Sequence, residues 1–226
     1  MRLQRTGVIA GLVYLVLGLA WIWLTQPPLF LIAWLFVVAV AGSYIPGEAN
    51  QVTLARAYLA VPAFAYATSG KLGLLAVVVA VAGLTDLLDG TVARRFSGPS
   101  QLGGALDPVV DGVFMGALTV GLGVGGIIPL WLALVVIARY LVPALGAGLL
   151  IALGRRPDLR HTLTGQVSTV LILVLIGGVC LFRGLNQDAS GLLSAAEIVI
   201  PIATVATWVH LGYAALRRPA VATDAG

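Results

Sequence analysis

Apolar runs recur along nearly the whole chain, broken at short intervals by Gly, Pro and charge, and they mark eight candidate helices. The runs fall at about 8–25, 29–45, 53–69, 72–89, 102–121, 129–152, 164–182 and 195–215. Each approaches the length at which a helix crosses the hydrocarbon of a bilayer. The first run, preceded by Arg2 and Arg5, has the outline of a secretory leader. However, Gln26-Pro27-Pro28 leads at once into the second run with no convincing small-residue cleavage site, so a retained helical hairpin is expected. Ser194-Ala-Ala-Glu197 has the spacing of a capping box and is expected to open the last helix, which makes Glu197 a helix-start residue rather than a catalytic acid. Trp21, Trp23 and Trp131 lie near one set of helix ends, as an interfacial aromatic belt would.

Composition agrees with the pattern. Hydrophobic residues make up 60% and charged residues 10%, and the mean hydropathy is +1.04. Those values exclude disorder and an ordinary soluble domain and point to an all-α, polytopic membrane protein. The net charge of +4 is explained by where the arginines fall rather than by a nucleic-acid partner. With the N-terminus in the cytoplasm, Arg2, Arg5, Arg56, Arg94, Arg95, Arg155, Arg156, Arg160, Arg217 and Arg218 all sit at cytoplasmic helix ends. Only Lys71 and Arg183 fall at outer ends, and Arg139 lies within a run. This asymmetry follows the positive-inside rule. A compact chain with no targeting extension suits a bacterial or archaeal plasma (inner) membrane. The single cysteine, Cys180, lies in an apolar run and reads as a packing residue, with no disulfide framework. His161 and His210 are too far apart in sequence to suggest a zinc site.

Acidic residues are scarce, nine in all, and four of them fall within residues 86–111. Carboxylates at membrane depth are expensive and usually mark a functional site. Asp86 and Asp89, at i and i+3, share one face of a helix. Gly103, Asp107 and Asp111, at i, i+4 and i+8, share one face of the next. Two helices that each present two carboxylates across a short loop can enclose one or two hard divalent cations. Such a site suits phosphoryl transfer, and one aspartate at its edge could accept the proton of an attacking hydroxyl. Gly90 would let a nucleotide approach the backbone, and Arg94, one turn on, could pair with a diphosphate. Pro108 would loosen the helix beside Asp107. A solvated loop could also carry four aspartates, but it has no need for helical registration inside an apolar run.

The full pattern is Asp86-Leu-Leu-Asp89-Gly90-Thr-Val-Ala93-Arg94, eight residues, then Gly103-Gly-Ala-Leu-Asp107-Pro-Val-Val-Asp111. It resembles, at every fixed position, the signature of the CDP-alcohol phosphotransferases (CDP-alcohol phosphatidyltransferases). The resemblance implies that Asp86, Asp89, Asp107 and Asp111 hold two Mg²⁺ or Mn²⁺ ions and that Asp111 is also the proton acceptor. It implies that Gly90, Arg94 and Ser100 contact the CDP donor, and that Gly103 lets two helices approach near the nucleotide. Asn50-Gln-Val-Thr53-Leu-Ala-Arg56 is similar to the family's Asn-x-x-Thr-x-x-Arg, which puts Asn50 and Thr53 in the donor pocket. The implied fold is a six-helix core over 47–216, a homodimer in the family. Residues 1–46 form an added N-terminal transmembrane hairpin and 217–226 a short polar tail.

Downstream, Arg139, Arg155 and Arg160 suit a phosphorylated acceptor, with stop-transfer charge as the competing account for Arg155, Arg156 and Arg160. Gly165-Gln166-Val-Ser168-Thr169 is close to a Gly-Lys-x-x-Thr element of several relatives, with Gln in place of Lys. The expected activity is transfer of a phosphatidyl group from CDP-diacylglycerol to an alcohol, releasing CMP, in phospholipid synthesis. The active site should face the cytoplasm. The acceptor is expected to be a polyol phosphate such as glycerol phosphate or inositol phosphate, with phosphatidylglycerol, serine and choline also open. Two rivals use similar carboxylates. An intramembrane prenyltransferase lacks the Gly-x-x-Ala-Arg continuation, and a cation transporter would spread its acids over several helices.

Overall fold

The computed structural model describes residues 5–45, 47–92, 101–152 and 163–217, with backbone alone at several stretch ends, including 86–92 and 101–105. Among these residues the chain forms eight α-helices and no strand. They are α1 (Arg5–Thr25), α2 (Leu29–Tyr44), α3 (Glu48–Thr68), α4 (Leu72–Val92), α5 (Gln101–Val124), α6 (Leu130–Ala152), α7 (Leu163–Gly184) and α8 (Ser190–Arg217). Four contain stretches long and apolar enough to cross a membrane: Thr6–Thr25, Leu106–Val124, Val167–Gly184 and Ser190–Tyr213. Three further apolar helices are shorter, at Leu29–Tyr44, Leu72–Thr85 and Leu130–Gly146. The chain is thus an all-helical, polytopic membrane protein. Its periphery is apolar, with Ile9, Val16, Val77, Leu134, Val174 and Ile202 all exposed. That inverts the soluble pattern and suits lipid as solvent.

The bundle is built around α3, the least apolar of the eight helices. Asn50, Thr53, Leu54, Arg56, Ala57, Ala60, Val61, Ala63 and Ala67 are all buried along it, because α1, α2, α4 and α5 all pack against it. Small residues permit this. A Cβ at Gly121 of α5 would stand 2.8 Å from the Ala67 Cβ and 3.1 Å from the Phe64 carbonyl oxygen of α3. The remaining contacts chain outward, α4 to α7, α5 to α6, and α8 to both α6 and α7. Their shared core includes Leu75, Leu118, Leu122, Leu132, Val136, Ile172, Ile176 and Ile200, all fully buried, and Cys180 packs there as the sequence suggests.

Two helix starts differ from the hydropathy reading. Helix α3 begins at Glu48, right after Gly47 at φ 95°, and not near residue 53. Its first turns are polar yet buried, so hydropathy alone misses them. Helix α8 begins at Ser190, so Ser194 to Glu197 lie inside it and are not its capping box. The start is held instead by Asp188, whose Oδ1 accepts the Ser190 backbone N–H at 2.9 Å and whose Oδ2 accepts the Ser190 hydroxyl at 2.7 Å. Those two bonds hold the exposed Asp188 carboxyl below its usual pKa, with help from nearby Arg183. Of the tryptophans, Trp23 and Trp131 are exposed, as a belt requires, whereas Trp21 donates its indole N–H to the Tyr66 hydroxyl at 3.0 Å.

Candidate active site

Helix α3 carries Asn50, Thr53 and Arg56 at i, i+3 and i+6, so one face presents an amide, a hydroxyl and a guanidinium. All three are buried. Helix α5 carries Asp107 and Asp111 at i and i+4, and it packs directly on α3. The Thr53 hydroxyl donates to Asp107 Oδ1 at 2.8 Å. Arg56 Nη1 donates to Asp111 Oδ1 at 2.5 Å, and its Nη2 stands 3.9 Å from Asp107 Oδ1. The Asp107 side chain keeps 33% of its surface and that of Asp111 16%, so neither is fully enclosed. One guanidinium against two carboxylates leaves this trio with net charge −1. Carboxylate oxygens are hard donors of the kind that Mg²⁺ or Mn²⁺ takes.

The other half of the expected carboxylate set is Asp86 and Asp89. Their backbone lies in the last turns of α4, as does that of Gly90, and α4 packs on α3 from another side. The side chains of Asp86 and Asp89 lie outside the described residues, as do Arg94, Ser100, Arg155 and Arg160 in their entirety. Among the described residues no group of three metal-ligating side chains gathers. Gly103 lies in the first turn of α5, and that helix runs unbroken through Pro108 to Asp111, so the three positions keep the common face expected of them. Next to Asp111, a Cβ on Gly112 would meet the Tyr140 Cβ at 3.2 Å, which brings α6 against this part of α5.

Arg56 was the residue that sequence reading left without a role, since it was counted among the cytoplasmic charges. The available signal was its position three residues after Thr53 on the same face. Arg139, expected to need a partner, has several. It is 5% exposed, and Nη1 donates to the hydroxyls of Ser168 and, at 3.3 Å, Thr207. Nη2 donates to the Gly165 carbonyl and the Thr169 hydroxyl, both at 2.9 Å. The guanidinium therefore ties α6 to α7 and α8, and it uses the Gly-x-x-Ser-Thr element to do so.

The sequence profile of the CDP-alcohol phosphatidyltransferases matches residues 48–211. The chain belongs to this family. The match takes in α3 to α7 and most of α8, and leaves α1 and α2 outside. Similar members include a probable cardiolipin synthase (CMP-forming) of Drosophila melanogaster, 41% identical over 45% of this chain and 32% of that protein. The cardiolipin synthase (CMP-forming) of Streptomyces coelicolor is 39% identical over 41% of this chain and 42% of its own length. A probable phosphatidylglycerophosphate synthase of Mycobacterium tuberculosis is 28% identical over 60% of each chain. The chain therefore spans from a third to three-fifths of the length of these relatives. No solved structure matches it.

Proposed function

We propose that this CDP-alcohol phosphatidyltransferase moves the phosphatidyl group of CDP-diacylglycerol to a lipid alcohol, phosphatidylglycerol, releasing CMP and forming cardiolipin. The observation that carries the reaction is the pairing of Thr53 and Arg56 with Asp107 and Asp111 on the family signature. It supports a reading in which Asp111 is the proton acceptor and the buried α3 face binds the donor. Two considerations support the acceptor. The synthases similar at 39–41% identity make cardiolipin by name, against 28% for the phosphatidylglycerophosphate synthase. Arg139, the one described arginine proposed to meet a phosphorylated acceptor, spends both terminal nitrogens on α7 and α8, so it offers charge to the pocket rather than a free fork. Glycerol phosphate is the second acceptor to test.

In this reading Asn50, Thr53, Gly90, Arg94, Ser100 and Gly103 bind the CDP moiety, Arg155 and Arg160 face the acceptor, and Arg139 braces α6 against α7 and α8. Mg²⁺ or Mn²⁺ held by Asp86, Asp89, Asp107 and Asp111 supplies the charge that offsets the diphosphate and the departing CMP. Asp111 takes the proton of the acceptor hydroxyl as its oxygen bonds to the β-phosphorus and the bond to CMP breaks. Arg56 holds that carboxylate in place through the bond from its Nη1. The site opens to the cytoplasm of a plasma membrane, and the protein works as a homodimer.

The test is CMP release by purified protein from CDP-diacylglycerol, with phosphatidylglycerol or glycerol phosphate, with and without Mg²⁺ or Mn²⁺. Asp111→Asn is expected to abolish transfer while leaving CDP-donor binding largely intact. Undiminished CMP release from that variant would remove Asp111 from its role.

A further inference from the structure

Outside the family match, the α1–α2 hairpin docks on the very helix that supplies Thr53 and Arg56. Helices α1 and α2 approach closely, since a Cβ on Gly11 would stand 2.9 Å from the Ala39 carbonyl oxygen. The hairpin then grips the first half of α3 at three points. The Tyr14 hydroxyl donates to the Gln51 carbonyl at 2.6 Å. The Gln51 amide donates back to the carbonyls of Gly42 and Ile45, at 2.8 and 2.7 Å, and so satisfies acceptors that the end of α2 leaves open. The Trp34 indole donates to the Ala57 carbonyl at 2.9 Å. The Tyr14 ring also stacks on Tyr58 with centroids 5.4 Å apart.

These contacts fall beside the site residues in sequence. Gln51 and Leu54 bracket Thr53, and Ala57 follows Arg56. Leu54 packs in one apolar cluster with Tyr14, Ala39 and Leu106, and Ala57 in another with Val38, Trp34, Leu106 and Val110. Leu106 and Val110 directly precede Asp107 and Asp111. The hairpin thus reaches the α3 backbone beside the donors and the apolar side chains beside the carboxylates.

We infer that the N-terminal hairpin is a positioning element for the active site, with Tyr14 and Trp34 as its positioning residues. They fix the rotation and height of α3, and with them the pairing of Thr53 and Arg56 to Asp107 and Asp111. This rests on the proposed transferase reading. Displacement of about 1 Å at such a site costs on the order of a hundredfold in rate, so losing two of the bonds that set α3 is a sizeable perturbation.

The test compares two full-length variants. Y14F/W34F removes both hydrogen bonds and keeps an aromatic ring at each position. W21F removes a bond of the same kind, to Tyr66, toward the far end of the same helix pair. Mn²⁺ affinity by electron paramagnetic resonance is measured beside kcat and KM for CMP release. Y14F/W34F is expected to weaken Mn²⁺ binding and lower kcat, each about tenfold, with KM for CDP-diacylglycerol within twofold, while W21F keeps wild-type values. Equal effects from both variants would make the hairpin a general anchor and overturn the inference, as would wild-type Mn²⁺ affinity and kcat in Y14F/W34F. Wild-type protein that binds Mn²⁺ but releases no CMP sinks the transferase reading alone, and one that binds no Mn²⁺ sinks both.

Discussion

Thr53 reaches Asp107 from a position that is itself buried, so little solvent competes for its hydroxyl. A hydrogen bond to a charged acceptor is worth about 1.5–3 kcal/mol. Thr53→Val, which keeps the shape and deletes the donor, is therefore expected to lower kcat for CMP release by about tenfold or more. Its melting temperature should fall by several degrees for the same reason, and a kcat within twofold of wild type would remove Thr53 from the site. The aspartates could be read from the sequence because nothing else in so apolar a chain accounts for them. Arg56 was visible as the last residue of the Asn-x-x-Thr-x-x-Arg motif, but its role was not, because a charge count treats every arginine at a helix end alike and only packing distinguishes a buried one from a solvated one. Arg139 lay between these cases. Its need for partners was legible, but the partners come from two other helices at sequence separations of 26 to 68 residues.

Helix positions were legible from hydropathy, and so were most helix starts, but those of α3 and α8 were not. The run that marks α8 begins where the sequence turns continuously apolar, yet the helix starts earlier because Asp188 offers its carboxylate to Ser190. The consequence is a pH dependence with a definite sign. The folded-state pKa of Asp188 is depressed, so its contribution is present above the unfolded value of about 3.9 and is lost as pH falls through the lower folded value. In melting curves from pH 6 to pH 3, Asp188→Ala is expected to show a shallower acid decline than wild type. Parallel curves would mean that the cap adds nothing. The start of α3 was missed for a different reason. Asn50, Gln51 and Thr53 are polar, and hydropathy cannot register that polar groups are buried when other helices supply their partners.

At the scale of the molecule, short connections alternate the helices, so the α3 start, the α5 start and the α4 end share one side of the bundle. The α3–α4 turn with Lys71 lies on the other. From the arginine asymmetry we propose that the first side faces the cytoplasm, and the fold makes this easy to check. The only cysteine, Cys180, is fully buried, and Lys71 is exposed. A K71C variant is expected to react with a membrane-impermeant maleimide added to intact cells, against a silent wild-type background. Labelling confined to inverted vesicles would reverse the orientation. The added hairpin was expected from its apolar runs, but its docking on α3 was not, because donor and acceptor there are an aromatic side chain and a backbone carbonyl, which leave no trace in hydropathy. The polarity of α3 carries one more consequence, for biogenesis. A segment with Glu48, Asn50, Gln51 and Arg56 in its opening turns partitions poorly into lipid alone. During synthesis α1 and α2 emerge first and already offer Tyr14, Trp34 and the end of α2, so the hairpin is placed to receive α3 as it leaves the ribosome.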